Sequence, residues 1–207
     1  IIGITKERKI AHSAVIPTIF NQDKIVGEYL ADKEVKMLVA TGYGRYMLES
    51  SHGAPVISEI KAHAKGAYFF EPSVATVIDL GGQDSKVIKM GEGGSFTDFR
   101  MNDKCAAGTG KFLEIAANRL GLDMQTFANA GFGYDKELTI SSMCAVFAES
   151  EVISLIAKKE SLANICYGVH ESIASRLASM ARKFVIKESE TIVFTGGGAL
   201  NPFLHHM

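Results

Sequence analysis

The sequence predicts an α/β protein in two unequal parts, a fold class that rests on three observations. Residues 74–101 hold three short apolar strands joined by glycine turns. The chain after Asn102 turns helical, and a last strand at residues 191–195 breaks on Gly196-Gly197-Gly198. Strand-and-turn and helix-periodic signals in one chain of 207 residues exclude an all-α bundle and an all-β sandwich.

Taken in order, residues 10–19 and 23–30 are apolar-rich but poorly punctuated, and no element is assigned to them. Residues 35–41 (VKMLVAT) form a β-branched apolar run closed by Gly42, which reads as a buried strand. Ile57, Ile60, Ala64 and Ala67 follow at helical spacing, so residues 57–67 read as a helix. Residues 74–80 (VATVIDL) are a strand ending in Gly81-Gly82, and residues 85–90 (SKVIKM) are a second. The glycine-rich turn 91–94 leads to a third strand at 95–101, which completes an antiparallel meander. Residues 111–120 place Phe112, Ile115, Ala116 and Leu120 on one helical face, with Gly121 as the stop. Further helices are expected at 145–159 and 162–184, the latter striped by Leu162, Ile165, Val169, Ile173, Leu177 and Met180. A boundary near Pro72 divides a small domain, residues 1–72, from a meander-plus-helices domain, residues 73–207.

Composition narrows the function classes. The charge balance, 22 Lys+Arg against 23 Asp+Glu, gives no reason to expect a nucleic-acid partner or an anionic membrane surface. No apolar run approaches the roughly 20 residues that span a bilayer, and no signal-peptide pattern opens the chain, so the cytoplasm is the expected compartment. The chain starts at Ile1 and stops at Met207 just after a glycine turn, and is expected to be part of a longer protein. Three cysteines make a disulfide framework an unsuitable reading and leave thiol or metal-ligand roles.

Two glycine loops are candidate phosphate sites. Asp79-Leu80-Gly81-Gly82-Gln83-Asp84 joins two strands. Paired glycines let backbone N–H groups approach an anion, and Asp79 is placed to hold a nucleotide's Mg²⁺ through water. Gly196-Gly197-Gly198-Ala199-Leu200-Asn201 follows a strand and precedes a helix, a common place for backbone contact with a ligand. Each loop alone is equally explained as a turn needed for packing; together they fit a nucleotide held between them. Gly108-Thr109-Gly110-Lys111 has the Gly-Lys of a P-loop but lacks its first glycine and its Ser/Thr, and is not a Walker A motif. His52, His63, His170 and His205-His206 read as isolated surface or core residues, and Glu149 as a helix-opening carboxylate.

Cys105 and Cys144 each stand immediately before an expected helix, in NDKCAAGTG and SSMCA. A helix N-terminus stabilises a thiolate and equally an anionic iron–sulfur cluster held by thiolates. Two ligands cannot fill a cluster that takes four, whereas a symmetric dimer supplies the other two on its axis. The alternative is a pair of small buried residues that happen to precede helices. Cys166, mid-helix with no polar or glycine context, is read as structural.

The segments VIDLGGQDSKVIKM, MNDKCAAGTGKFLEIAANRLG, ISSMCAVFAESEVISLIAKK and VFTGGGALN resemble the ATP-dependent activators of 2-hydroxyacyl-CoA dehydratases and the related ATPase subunits of benzoyl-CoA reductase. That resemblance implies a two-lobed actin-like (ribonuclease H-like) ATPase fold and a homodimer around one shared [4Fe–4S] cluster. It also implies anaerobic transfer of a low-potential electron, driven by ATP hydrolysis with Mg²⁺, from a donor such as ferredoxin or flavodoxin to an acyl-CoA dehydratase or reductase component. By position Cys105 and Cys144 match the cluster ligands. Asp79, Gly81, Gly82 and Gln83 match the second phosphate loop, with Asp79 and Gln83 in catalytic roles, and Gly196, Gly197, Gly198 and Asn201 match the adenosine loop. The family opens with a strand and an Asp-x-Gly-Ser phosphate loop, which no segment ahead of Ile10 matches. The N-terminal lobe is therefore expected to be partial, with residues 4–18 as the hairpin that follows that loop. Two other readings stay open: a kinase of the same fold without a cluster, and a non-catalytic regulatory domain that keeps the fold.

Overall fold

The computed structural model describes residues 1–140 and 145–207. They divide into two compact units, Ile1–Glu59 and Ile60–Met207. The first holds an antiparallel hairpin, β1 (Ile2–Ile4) with β2 (Ile10–Ser13), then α1 (Gln22–Leu30) and α2 (Arg45–His52). Its buried apolar residues are few: Val26, Ala40 and Ala54. Residues 35–41 are not the buried strand expected. Only Ala40 pairs, in an isolated bridge to Val56, and Val35, Met37 and Val39 are exposed. An apolar β-branched run becomes a strand only where neighbouring strands take up its ladder hydrogen bonds, and here one residue finds a partner.

The second unit opens with α3 (Glu59–Phe70) and builds a four-stranded sheet from β3 (Val74–Leu80), β4 (Ser85–Met90), β5 (Phe96–Asn102) and β6 (Thr191–Thr195). The order is β5-β4-β3-β6, antiparallel except for β6, which runs parallel to β3. The expected meander is present, and β3, β4 and β6 have the expected bounds.

Side-chain alternation splits the sheet into two buried faces. Val77 and Ile88 face α3 and pack with its Ile60, Ala64 and Ala67. Leu80, joined by the partly buried Ile78 and Phe194, faces a larger cluster built from the helices. Those helices are α4 (Gly110–Arg119), α5 (Met124–Ala130), α6 (Ala145–Ala157), α7 (Leu162–Ala181) and α8 (Pro202–His206). The expected α7 stripe is buried at Ile165, Val169, Ile173 and Leu177, each contributing about 1.5–3 kcal/mol by burial. Ser161 starts α7 by accepting a hydrogen bond from the Asn164 amide. Among the described residues no helix is long and apolar enough to cross a membrane.

Candidate functional site

The site begins at the end of β3. Asp79 is 3% exposed, and a carboxylate buried to that degree needs partners. Both come from the strands beside it, at the same register: Lys86 across the hairpin and Thr195 on the parallel side. Lys86 donates to Asp79 Oδ2 at 3.2 Å and to Asp84 Oδ1 at 2.6 Å. Thr195 donates its hydroxyl to Asp79 Oδ1 at 3.0 Å. Lys86 is itself buried, so one cation serves two carboxylates at the root of the Gly81-Gly82 turn. Lys86 is absent from the residues the sequence singles out, although a signal exists: counting back across the four-residue turn sets it opposite Asp79.

The two expected glycine loops meet. Gly81 and Gly82 of the β3–β4 turn, Gly197 and Gly198 after β6, and Gly110 at the start of α4 line one cavity of about 370 Å³. Its apolar wall includes Leu113, Met124, Ala128, Leu200 and Pro202, and its polar side chains are Glu114, Gln125 and Asn201. Gly110 enters as an addition, inside the segment dismissed as a P-loop. Its amide donates to Gly81 O at 2.8 Å and the Lys111 amide donates to Gly82 O at 2.9 Å. Gln83 is exposed at the tip of the turn and is not among the cavity-lining residues.

The glycines have different reasons to be there. Gly196 has φ of 84°, and a Cβ would sit 2.4 Å from Leu80 O. A Cβ on Gly198 would strike the Leu80 side chain at 2.3 Å, and one on Gly81 would come within 2.9 Å of Asp84 Oδ1. Packing explains these three. Gly82 and Gly197 have no such reason: a Cβ on either meets nothing within 4 Å, and neither has a positive φ. Both line the cavity, and the space a Cβ would take there is open.

Asn201 and His170 hold the second loop in place. Asn201 Oδ1 accepts from the Phe203 and Leu204 amides and so caps α8, while its amide donates to His170 Nε2 at 2.9 Å. The other ring nitrogen of His170 donates to Cys166 O at 2.6 Å. His170 is fully buried and stacks on Phe127, and burial lowers its pKa to about 4, so the ring is neutral. Of the surface and core positions the sequence leaves open for it, His170 takes the core. Burial likewise pushes the Cys166 thiol up to about 12, in keeping with a structural residue.

Cys105 is half-buried, and its carbonyl accepts from Asn102 Nδ2 at 2.9 Å. The helix expected at 111–120 is present as α4, though it does not follow Cys105 directly. A short 3₁₀ turn, Ala106–Gly108, comes first, and α4 begins only at Gly110. Thr109 between them is extended, with φ of −133°, and Gly108 and Gly110 on either side are poor helix formers. Gly108 lies against Arg176 of α7, where a Cβ would meet Arg176 Cδ at 2.3 Å. Cys144, the other expected ligand, lies outside the described residues. Among the described residues no three His, Cys, Asp or Glu side chains gather as a metal site. Glu149 pairs with Arg119 at the end of α4.

Comparison with known proteins adds the rest. The model of the BadF/BadG/BcrA/BcrD ATPase family matches residues 11–207. The (R)-2-hydroxyglutaryl-CoA dehydratase activating ATPase of Acidaminococcus fermentans is 46% identical over 173 residues, which are 84% of this chain and 65% of that protein. The 2-hydroxyisocaproyl-CoA dehydratase activator of Clostridioides difficile is 40% identical over 180 residues, 86% of this chain and 66% of that protein. The chain thus spans about two thirds of the length of these curated relatives. A solved structure of the activator of the 2-hydroxyisocaproyl-CoA dehydratase from Clostridium difficile, with bound ADPNP, superposes with a TM-score of 0.83 at 33% identity. It covers 97% of this chain and 76% of that one. The fold is the α/β actin-like ATPase fold that the sequence motifs imply.

Proposed function

Since the chain belongs to the BadF/BadG/BcrA/BcrD ATPase family, we propose that it acts as an ATP-dependent reductive activase, serving a 2-hydroxyacyl-CoA dehydratase or a related reductase. One observation carries the nucleotide half of this reading. Three glycine-bearing segments converge on a single cavity with an apolar wall, and a Cβ on Gly82 or Gly197, which line it, would meet no protein atom within 4 Å. The phosphates would lie at the Gly81-Gly82 turn and the adenosine between the apolar wall and Gly197-Gly198, with Asn201 fixing that loop. Asp79, beneath both loops, would meet the accompanying Mg²⁺ through water, and we assign Gln83 the orientation of the attacking water.

The donor set fits a cluster only across two chains. Cys105 and Cys144 supply two thiolates per chain, and a homodimer supplies four. When bound, the [4Fe–4S] cluster supplies one-electron chemistry at low potential. What the chain's own residues contribute is the connection. The Gly110 and Lys111 amides tie the phosphate turn to the start of α4, five and six residues from Cys105. A change in the turn on hydrolysis is thereby transmitted to the cysteine segment through two backbone hydrogen bonds. The electron would come from a ferredoxin or flavodoxin and pass to the dehydratase component, in an anaerobic cytoplasm.

Gly197→Ala tests the nucleotide reading. Its Cβ has room in the unliganded fold, so the thermal midpoint is expected to stay unchanged. Mg·ATP affinity measured by calorimetry should fall about tenfold or more as the methyl group takes ligand space. Undiminished affinity in that variant, or a wild-type chain that binds no nucleotide, would overturn the assignment.

A further inference from the structure

His63 lies outside every residue set that the sequence motifs select, yet it is wired to the centre of the site. It sits on the α3 face that also carries Ile60, Ala64 and Ala67, and that face packs on the sheet where Asp79 points. His63 Nε2 is 2.8 Å from Thr195 Oγ1, and Thr195 Oγ1 is 3.0 Å from Asp79 Oδ1. The direct separation of His63 Nε2 from Asp79 Oδ1 is 3.7 Å. Asp79 is linked in turn to Lys86, and Lys86 to Asp84.

We propose that His63 is a positioning residue for Asp79, acting through Thr195; the proposal rests on the nucleotide reading of the cavity above. The logic lies in the direction of the hydrogen bonds. Thr195 has one hydroxyl proton and three neighbours that can accept it: Asp79 Oδ1, Ile78 O at 3.4 Å, and His63 Nε2 if that nitrogen is bare. With the proton of the neutral ring on Nε2, His63 donates to Thr195 and the threonine proton turns to Asp79. With the proton on Nδ1, Nε2 accepts the threonine proton and Asp79 loses that bond. The tautomer of His63 therefore sets whether Asp79 is held from both sides, by Lys86 on Oδ2 and Thr195 on Oδ1, or from one.

The consequence reaches the second loop as well. Thr195 is followed directly by Gly196, whose missing Cβ would lie 2.7 Å from Asp79 Oδ1. The residue that fixes the Asp79 carboxylate thus stands two residues ahead of the Gly197-Gly198 wall of the cavity. Orientation of the hydroxyl and placement of that loop are one geometric problem, solved from the far face of the sheet by a helix that does not line the cavity.

Two measurements on the full chain test this. Nitrogen-15 NMR of the unliganded protein should report His63 as the Nε2–H tautomer; the Nδ1–H tautomer would overturn the proposal whatever the nucleotide affinity. Mg·ADP binding is then compared for wild type, His63→Ala, His63→Gln, Thr195→Val and Thr195→Ser, each checked for an intact thermal transition. His63→Ala and Thr195→Val should each weaken binding about tenfold, as expected for losing a hydrogen bond to a charged group. His63→Gln and Thr195→Ser, which keep a donor and a hydroxyl, should restore most of it. Adding His63→Ala to Thr195→Val should cost nothing more. Equal losses from His63→Ala in both backgrounds, or no loss in either, would remove the relay while leaving the nucleotide site standing. If wild type binds no nucleotide, the ATP reading fails, and the tautomer alone decides the relay.

Discussion

Burial sets the charge of His170, and that gives the molecule a definable pH response. Its folded pKa, lowered to about 4, lies below the ordinary value of 6.5 that the unfolded chain recovers. Above about pH 6.5 neither state binds the proton and the fold is at full strength. As pH falls the unfolded chain takes up the proton first, so stability declines until about pH 4 and then levels. The loss from this residue is about 3 kcal/mol across that window, readable as a falling urea midpoint. His170→Gln should flatten that segment of the curve. At Gly196 the sign is simpler. Alanine there must hold a φ of 84° and place its Cβ 2.4 Å from Leu80 O, so Gly196→Ala should lower stability by at least about 1–3 kcal/mol in denaturant unfolding. The contrast with Gly197→Ala separates a glycine kept for the fold from one kept for the ligand.

Secondary-structure elements show which parts of this fold are local in origin. The bounds of β3, β4 and β6 are legible because each is a short β-branched run closed by glycine or a turn, and their pairing partners lie nearby or in an equally clear run. Residues 35–41 carry the same composition without the partners, and composition does not report partners. No helix is expected at α2 or α5, yet α5 has a local marker: Asp123 accepts from the Thr126 amide as its N-cap. Lys86 and His63 were each on a periodic face, one in a strand and one in a helix, but their meaning comes from tertiary contact with Asp79 and Thr195. Capping also yields a prediction for α8. Asn201→Ala removes the acceptor for two amides and the donor to His170, and should cost about 1–2 kcal/mol of stability in a thermal or urea transition. Because Asn201 borders the cavity, nucleotide affinity should fall with it.

For the whole molecule the decisive question is assembly. The cluster ligands proposed here, Cys105 and Cys144, are half a set in one chain. Anaerobically reconstituted protein should therefore contain about one cubane for every two chains, absorb near ~400 nm, and behave as a dimer in light scattering. Cys105→Ala should lose the iron. A cysteine variant that keeps a normal cluster, or iron bound stoichiometrically by a monomer, would remove the shared-site proposal. The bond between the phosphate turn and α4 has a further meaning for what the cavity accepts. The Gly81 and Gly82 oxygens accept from the amides of Gly110 and Lys111, so both carbonyls of the turn are held by the fold itself. A glycine turn pinned at both carbonyls has lost the freedom of an open loop, so a ligand meets it already in shape and its ordering cost is met before binding.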